Sequence, residues 1–139
     1  MTEILDVMTK THKALRAVAE ESMRRHGLHL GQNLVLAALW ERDGRTPGEL
    51  AAELNVTTPT IVKMATRMAA AGLLVRRRDD ADNRLVRLYL TDAGRALRGP
   101  VTADREELER AITEGLTAGE LDQLAAILGK VLANARALT

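Results

Sequence analysis

A chain of 139 residues with 46% apolar and 28% charged side chains has the length and balance of one soluble globular domain with a real core. The complete absence of cysteine excludes disulfides, thiolate metal ligands and a cysteine redox sensor. The net charge of +1 argues nothing about partners by itself, so the distribution of charge along the chain has to be read instead.

With one Trp, one Tyr and no Phe, the core must be aliphatic. That favours helix over sheet, because alanine and unbranched aliphatics lose little rotamer freedom in helices. From Glu3 to about His26 apolar residues recur at Ile4/Leu5, Met8, Leu15, Val18/Ala19 and Met23, the period of an amphipathic helix, with Gly27 as its C-terminal stop. A second helix is expected from about Gly31 to Trp40, ending before the turn dipeptide Asp43-Gly44. The longest apolar run, Leu34 to Trp40, is too short to cross a bilayer, and the early Glu3 and Asp6 differ from the basic start of a signal peptide. A cytoplasmic protein without membrane contact is expected.

Thr46-Pro47-Gly48-Glu49 reads as a capping box with proline at the first helical position. The short helix it opens should bury Leu50 and Leu54 and break at Asn55. Thr57 caps a fourth helix with an apolar stripe of Ile61, Met64, Ala65 and Met68; Thr60, Lys63 and Arg67 lie elsewhere on its surface, and Gly72 ends it.

A β-hairpin follows. Its first arm carries Arg76-Arg77-Arg78, its acidic turn runs from Asp79 through Asn83, and Arg84 emerges beside Asp82. On the second arm Val86, Leu88 and Leu90 alternate with Arg87 and Tyr89. Thr91-Asp92 starts a long helix that Gly99-Pro100 should kink or interrupt, with periodicity resuming at Leu108, Ile112 and Leu116. Thr117-Ala118-Gly119-Glu120 is a second capping box, opening a final helix with Leu121, Leu124, Ile127/Leu128, Val131/Leu132 and Leu138 on its apolar side.

Helix, turn, helix and basic hairpin is the layout of a winged helix-turn-helix, whose second helix enters a DNA groove while the hairpin reaches the neighbouring one. Between Thr57 and Arg98 nine basic and four acidic residues give a net +5, leaving −4 for the rest of the chain. Such a polarity suits one anionic surface. Thr57, Thr58 and Thr60 offer hydroxyls and methyls near the helix N-terminus, where backbone N–H groups face phosphate, and Lys63 and Arg67 follow one and two turns on. Arg84, aimed by the Asp82 carboxylate, suits a narrow minor groove, with Arg78 a further cation on the hairpin. Arg76 and Asp82 are expected to form a structural ion pair across the hairpin.

The runs Gly72-Leu73-Leu74-Val75-Arg76, Asp82-Asn83-Arg84 and Leu90-Thr91-Asp92-Ala93-Gly94 resemble the wing signature of the MarR family of bacterial transcriptional regulators. Leu50 through Thr57 is similar to that family's helix-turn-helix, and the terminal helices fall where the family has its dimerisation region. The resemblance spans essentially the whole chain. It implies a mainly α fold with a small β-hairpin wing: a single 1–139 domain with a DNA-binding lobe at about 31–98 and dimerisation helices at 1–27 and 100–139. It further implies a homodimer, in the repressor role, on a pseudo-palindromic double-stranded operator, with Arg84 in the minor groove and Thr57, Thr58, Thr60, Lys63 and Arg67 on the recognition helix. Pro59 departs from the small polar residue often found there.

Leu5 and Met8 at one end, with Leu124, Leu128 and Val131 at the other, are the expected dimer contacts. Family members commonly respond to small phenolic or aromatic carboxylates, which here points to His12, Arg16 and Trp40 as effector candidates, with His26 and His29 near the same junction. Those last two histidines fall short of a zinc site, which needs three or four ligands; neither a metal nor a cofactor is expected. An enzyme is not expected either, since no nucleophile–base pattern, phosphate loop or metal-spaced carboxylate set occurs. The competing reading is a winged helix that binds protein, for which neither Arg84 nor a basic recognition helix is required.

Overall fold

The computed structural model describes residues 3–139 and forms two compact units, residues 1–102 and 103–139. In the first unit, α1 (Glu3–Arg25), α2 (Gln32–Glu41), α3 (Pro47–Leu54) and α4 (Thr58–Ala70) precede the antiparallel strands β1 (Leu74–Arg78) and β2 (Val86–Leu90). Then come α5 (Asp92–Ala96) and the start of α6 (Arg98–Ile112). The second unit holds the rest of α6 and α7 (Ala118–Ala137). Helices joined to a two-stranded wing constitute a winged helix fold.

Local chemistry sets the boundaries. Both α1 and α4 end in a glycine with positive φ, Gly27 (72°) and Gly72 (79°). In each case the next residue's amide returns to the helix, Leu28 to the Met23 carbonyl (2.9 Å) and Leu73 to the Met68 carbonyl (3.0 Å), which satisfies carbonyls the helix would leave open. Asn55, at φ 55°, does the same service for α3. Of the two expected capping boxes, the one at Thr117 is complete: Thr117 accepts from the Glu120 amide (3.1 Å) and Glu120 accepts from the Thr117 amide (2.9 Å). At Thr46 only the first half forms (3.1 Å), because the Glu49 carboxylate turns toward Arg42 and Arg87.

The core of the first unit joins Val35, Leu36 and Leu39 of α2 to Leu50 and Ala51 of α3, Ile61, Ala65 and Met68 of α4, and Leu74, Leu88 and Leu90 of the wing. Burying each large aliphatic side chain stabilises by about 1.5–3 kcal/mol, so α4 and the wing are held by the same apolar mass. Leu54 and Met64, expected in the core, are only half-buried at its edge.

The hairpin register pairs Leu74 with Leu90, Arg76 with Leu88 and Arg78 with Val86. A further bridge joins Arg45 to Leu88, the Leu88 amide donating to the Arg45 carbonyl (2.9 Å) and the Gly44 amide to the Leu88 carbonyl (3.0 Å). The loop after α2 thereby lies along the wing as a one-residue third strand.

The expected interruption near Gly99-Pro100 is present but shifted: the helix breaks at Leu97, and Pro100 lies in the first turn of α6. Pro100 has no amide for the Ala96 carbonyl and its ring crowds that carbonyl, so the opening falls four residues upstream of the ring. Leu116, read as continuing this helix, lies beyond its end at Ile112.

Gly94 on α5 packs where no side chain fits. A Cβ there would stand 2.1 Å from the Leu73 carbonyl oxygen. The Thr91 hydroxyl draws the segments together by donating to the Gly72 carbonyl (2.6 Å) and accepting from the Gly94 amide (3.1 Å). Gly94→Ala is therefore expected to destabilise the fold by about 1–3 kcal/mol or more. Urea unfolding should show a lowered midpoint with unchanged slope; a midpoint equal to that of the parent chain would refute this role.

In the second unit α7 has no buried residue, and Ile127, Leu128 and Leu132 are about half exposed, between 47% and 57%. On α1, Ile4, Leu5 and Val7 are more exposed still, at 57% to 71%. No described helix is long and apolar enough to cross a membrane.

Candidate nucleic-acid interface

The inner face of α4 is fixed by Ile61, Ala65 and Met68, all fully buried. At 100° per residue that turns Pro59, Lys63, Thr66 and Arg67 outward, and all are exposed. No acidic residue occurs anywhere on α4. Thr57 caps the helix, accepting from the Thr60 amide (3.4 Å), and its hydroxyl also meets that of Thr60 (2.8 Å). The expected row of open N-terminal amides is thus much reduced. Thr60 N–H serves the cap, Pro59 has none, and Ile61 N–H returns to the Thr57 carbonyl (3.3 Å). Thr58 keeps both its amide and its hydroxyl for an outside partner.

The wing is held to this helix pair by Arg87. Its Nε donates to the Asp79 carboxylate (2.5 Å), its Nη1 to the Gly44 carbonyl (2.9 Å), and Glu49 of α3 lies 3.7 Å away. One guanidinium thereby links β2, the hairpin turn, the loop after α2 and α3. The register sets Arg77 directly opposite Arg87, a repulsive pair if left alone. Asp79 answers the charge of Arg87, and Arg77 lies over the Tyr89 ring, 5.4 Å from its centroid. Two further ties hold the lobe: the Leu90 amide donates to the Asp43 carboxylate (2.9 Å), and buried Arg45 pairs with Glu53 of α3 (2.6 Å).

At the tip, Asp79 also accepts from the amides of Ala81 (2.7 Å) and Asp82 (3.0 Å), and Arg78 donates to the Asn83 carbonyl (2.8 Å). Asp82 accepts from the Arg84 amide and, through both oxygens, from the Arg84 guanidinium at 3.1 and 3.3 Å. The Arg87 side chain, then the Asp82 and Ala81 amides, lower the Asp79 pKa below its ordinary value; the Arg84 side chain and amide do the same for Asp82. The Arg87 guanidinium is raised in turn, chiefly by Asp79. Arg84 itself remains 91% exposed at the extremity of the lobe.

The sequence expectation of an Arg76–Asp82 ion pair is not met. Arg76 lies opposite Leu88, three residues from the start of the turn, while Asp82 closes on Arg84 two residues away. At about 3.3 Å per strand residue, that separation exceeds the reach of a direct contact. The pair that organises the hairpin is Asp79–Arg87, which sequence reading missed. A signal was present, since an acid at one end of the turn and an arginine early in the second arm become neighbours once the strands pair.

The cleft that Trp40 lines includes neither His12 nor Arg16, the other two effector candidates. Trp40 lines a shallow cleft of about 270 Å³ with Leu39, Asp43, Leu90, Arg95 and Arg98, and its Nε1 donates to the Gly94 carbonyl (3.0 Å). His12 and Arg16 lie on the exposed surface of α1, where Arg16 is paired with Glu20 one turn on (3.2 Å). Among the described residues no cluster of three or more potential ligands could hold a metal ion.

With this geometry in view, the MarR family model matches residues 28–86, from the residue after Gly27 to the first residue of β2. The chain is 35% identical over 103 residues to the HTH-type transcriptional regulator TtmR of Methylorubrum extorquens (strain PA1), which covers 74% of this chain and 50% of TtmR. It thus spans about half the length of that relative. It is 27% identical over 117 residues to the HTH-type transcriptional regulator MgrA of Staphylococcus aureus, covering 84% of this chain and 78% of MgrA. Among solved structures, Streptococcus pneumoniae FabT in complex with DNA superposes with a TM-score of 0.86 at 20% identity, covering 99% of each chain. At that identity the likeness is one of fold.

Proposed function

Since this chain belongs to the MarR family, we propose that it is a sequence-specific DNA-binding transcriptional regulator, acting as a repressor and holding a pseudo-palindromic operator as a homodimer. The observation that carries this reading is the pairing of an acid-free, outward-facing α4 with Arg84, extended from a wing that Arg87 fastens to the same lobe. In it, Thr58, Lys63 and Arg67 meet the major groove and its phosphates, while Thr57 and Thr60 hold the helix start in shape. Arg84 enters the adjacent minor groove, whose narrow A·T-rich form concentrates negative potential. Arg78 steadies the tip through Asn83 and adds charge near the backbone. FabT, solved with DNA, supports this reading by likeness of fold.

A single lobe of this size reads too few bases for specificity, and two lobes about 34–36 Å apart make a palindrome into a specific site. Exposed apolar side chains on α1, Leu5 among them, and on α7, Leu124 and Leu128 among them, support a second copy of the chain as their cover. Met8 and Val131 are partly buried within these helices and extend the same surfaces. Release by a small aromatic or phenolic acid rests on Trp40, which lines a cleft with Arg95 and Arg98 as the cations there.

A gel-shift titration against salt tests the core of the reading. Affinity should fall log-linearly with salt, with a slope of about −0.9 for each phosphate neutralised. Retention of no duplex at low salt would overturn it in favour of a winged helix that binds protein.

A further inference from the structure

Resting on that reading of α4, we infer that this helix reads its half-site chiefly through the 5-methyl groups of thymine, so that the operator is thymine-rich where α4 lies. The face of the helix opposite Ile61, Ala65 and Met68 carries Pro59, Thr66, Ala70 and Lys63, flanked by Arg67 on one side and Val62 on the other. All six are exposed, Val62 by 38%. Two of them are charged. Three of the four hydroxyls that the sequence offers for polar recognition are hydrogen-bonded within the helix and its cap, and only that of Thr58 is left for an outside partner. Thr66 donates to the Val62 carbonyl (2.9 Å), and Thr57 and Thr60 are hydrogen-bonded to each other (2.8 Å). What remains outward is a set of methyl and methylene groups from Pro59, Thr66, Ala70 and Val62, with Lys63 among them and Arg67 beside it.

In the major groove the thymine methyl is the one apolar feature a base edge presents, and it pairs with aliphatic side chains. The flanking cations supply attraction to phosphate and to purine acceptors. The aliphatic arc supplies the discrimination, because cytosine or a purine in place of thymine leaves its methyl groups against polar edges or water. Lys63, Arg67 and the absence of any acidic residue on α4 make the duplex, rather than an apolar protein surface, the occupant of this face.

The test uses the full chain and duplexes recovered from a random pool. Thymines should be enriched at the positions nearest the dyad-related α4 helices. Replacing each with deoxyuridine, which deletes only the methyl, should weaken binding by about threefold to fivefold per position, the effect of one buried methyl. That penalty should vanish at one position in Thr66→Ser, which keeps the internally bonded hydroxyl, and at another in Val62→Ala. The inference is overturned if complexes form with normal salt dependence yet uracil and thymine are bound alike at every position. It is equally overturned if the selected sites hold no thymine within reach. Failure to retain any duplex removes the underlying DNA-binding reading, and the inference with it, and is a distinguishable result.

Discussion

Arg84→Ala should lower affinity for the specific duplex by about 1–3 kcal/mol for each wing in the complex, which is about fivefold to more than a hundredfold per wing. The size follows from position. Arg84 is 91% exposed, so its removal takes away almost no packing, and its pair with Asp82 is a solvent-screened surface one that contributes little to the fold. Fold and association state should therefore be unchanged, and the loss should fall on DNA alone. Arg84→Lys separates charge from shape. Lysine keeps the cation but cannot make the two-pronged contact with Asp82, so it should recover attraction to phosphate and only part of the specificity. Titration of the alanine variant against its selected operator and against a scrambled duplex gives both numbers. Equal affinity of parent and variant for the operator would remove the wing from the interface.

Leu128→Glu should give the largest effect of any single surface change. Leu128 lies on α7, which has no fully buried residue, and it is 47% exposed there. If α7 is covered by a second copy, a glutamate introduces a charge into an apolar contact, whose desolvation costs several kcal/mol. On a sizing column the variant should run as a monomer, and operator affinity should fall toward the non-specific level. Because Leu128 is outside the residue 1–102 unit, the thermal unfolding of that lobe should still be visible. A variant that elutes as a dimer of parental size would place the interface elsewhere. Leu128→Ala provides the graded control, removing apolar area without adding charge.

The parts of this protein that its sequence determined are those governed by chemistry within a few residues. Thr46, Thr57 and Thr117 accept from the amides three residues on, and Gly27, Asn55 and Gly72 supply the left-handed turns that end three helices. Alternation along Val86 to Leu90 marked the wing strand and its buried side. None of these depends on where the rest of the chain lies, so a helix-turn-helix with a wing was legible at once, and with it the candidate positions on α4.

Tertiary structure decided the partners. Arg87 chose Asp79, Gly44 and Glu49 because the strand register and the loop after α2 converge there. The same register sets Arg76 opposite Leu88, away from Asp82, whose local contact with Arg84 the sequence had already suggested. Buried Arg45 found Glu53, and Gly94 came to rest against the Leu73 carbonyl across a gap of twenty-one residues in sequence. A charge or hydroxyl can satisfy itself with any complementary group within about 3 Å, and which group is that near is set by packing over the whole lobe.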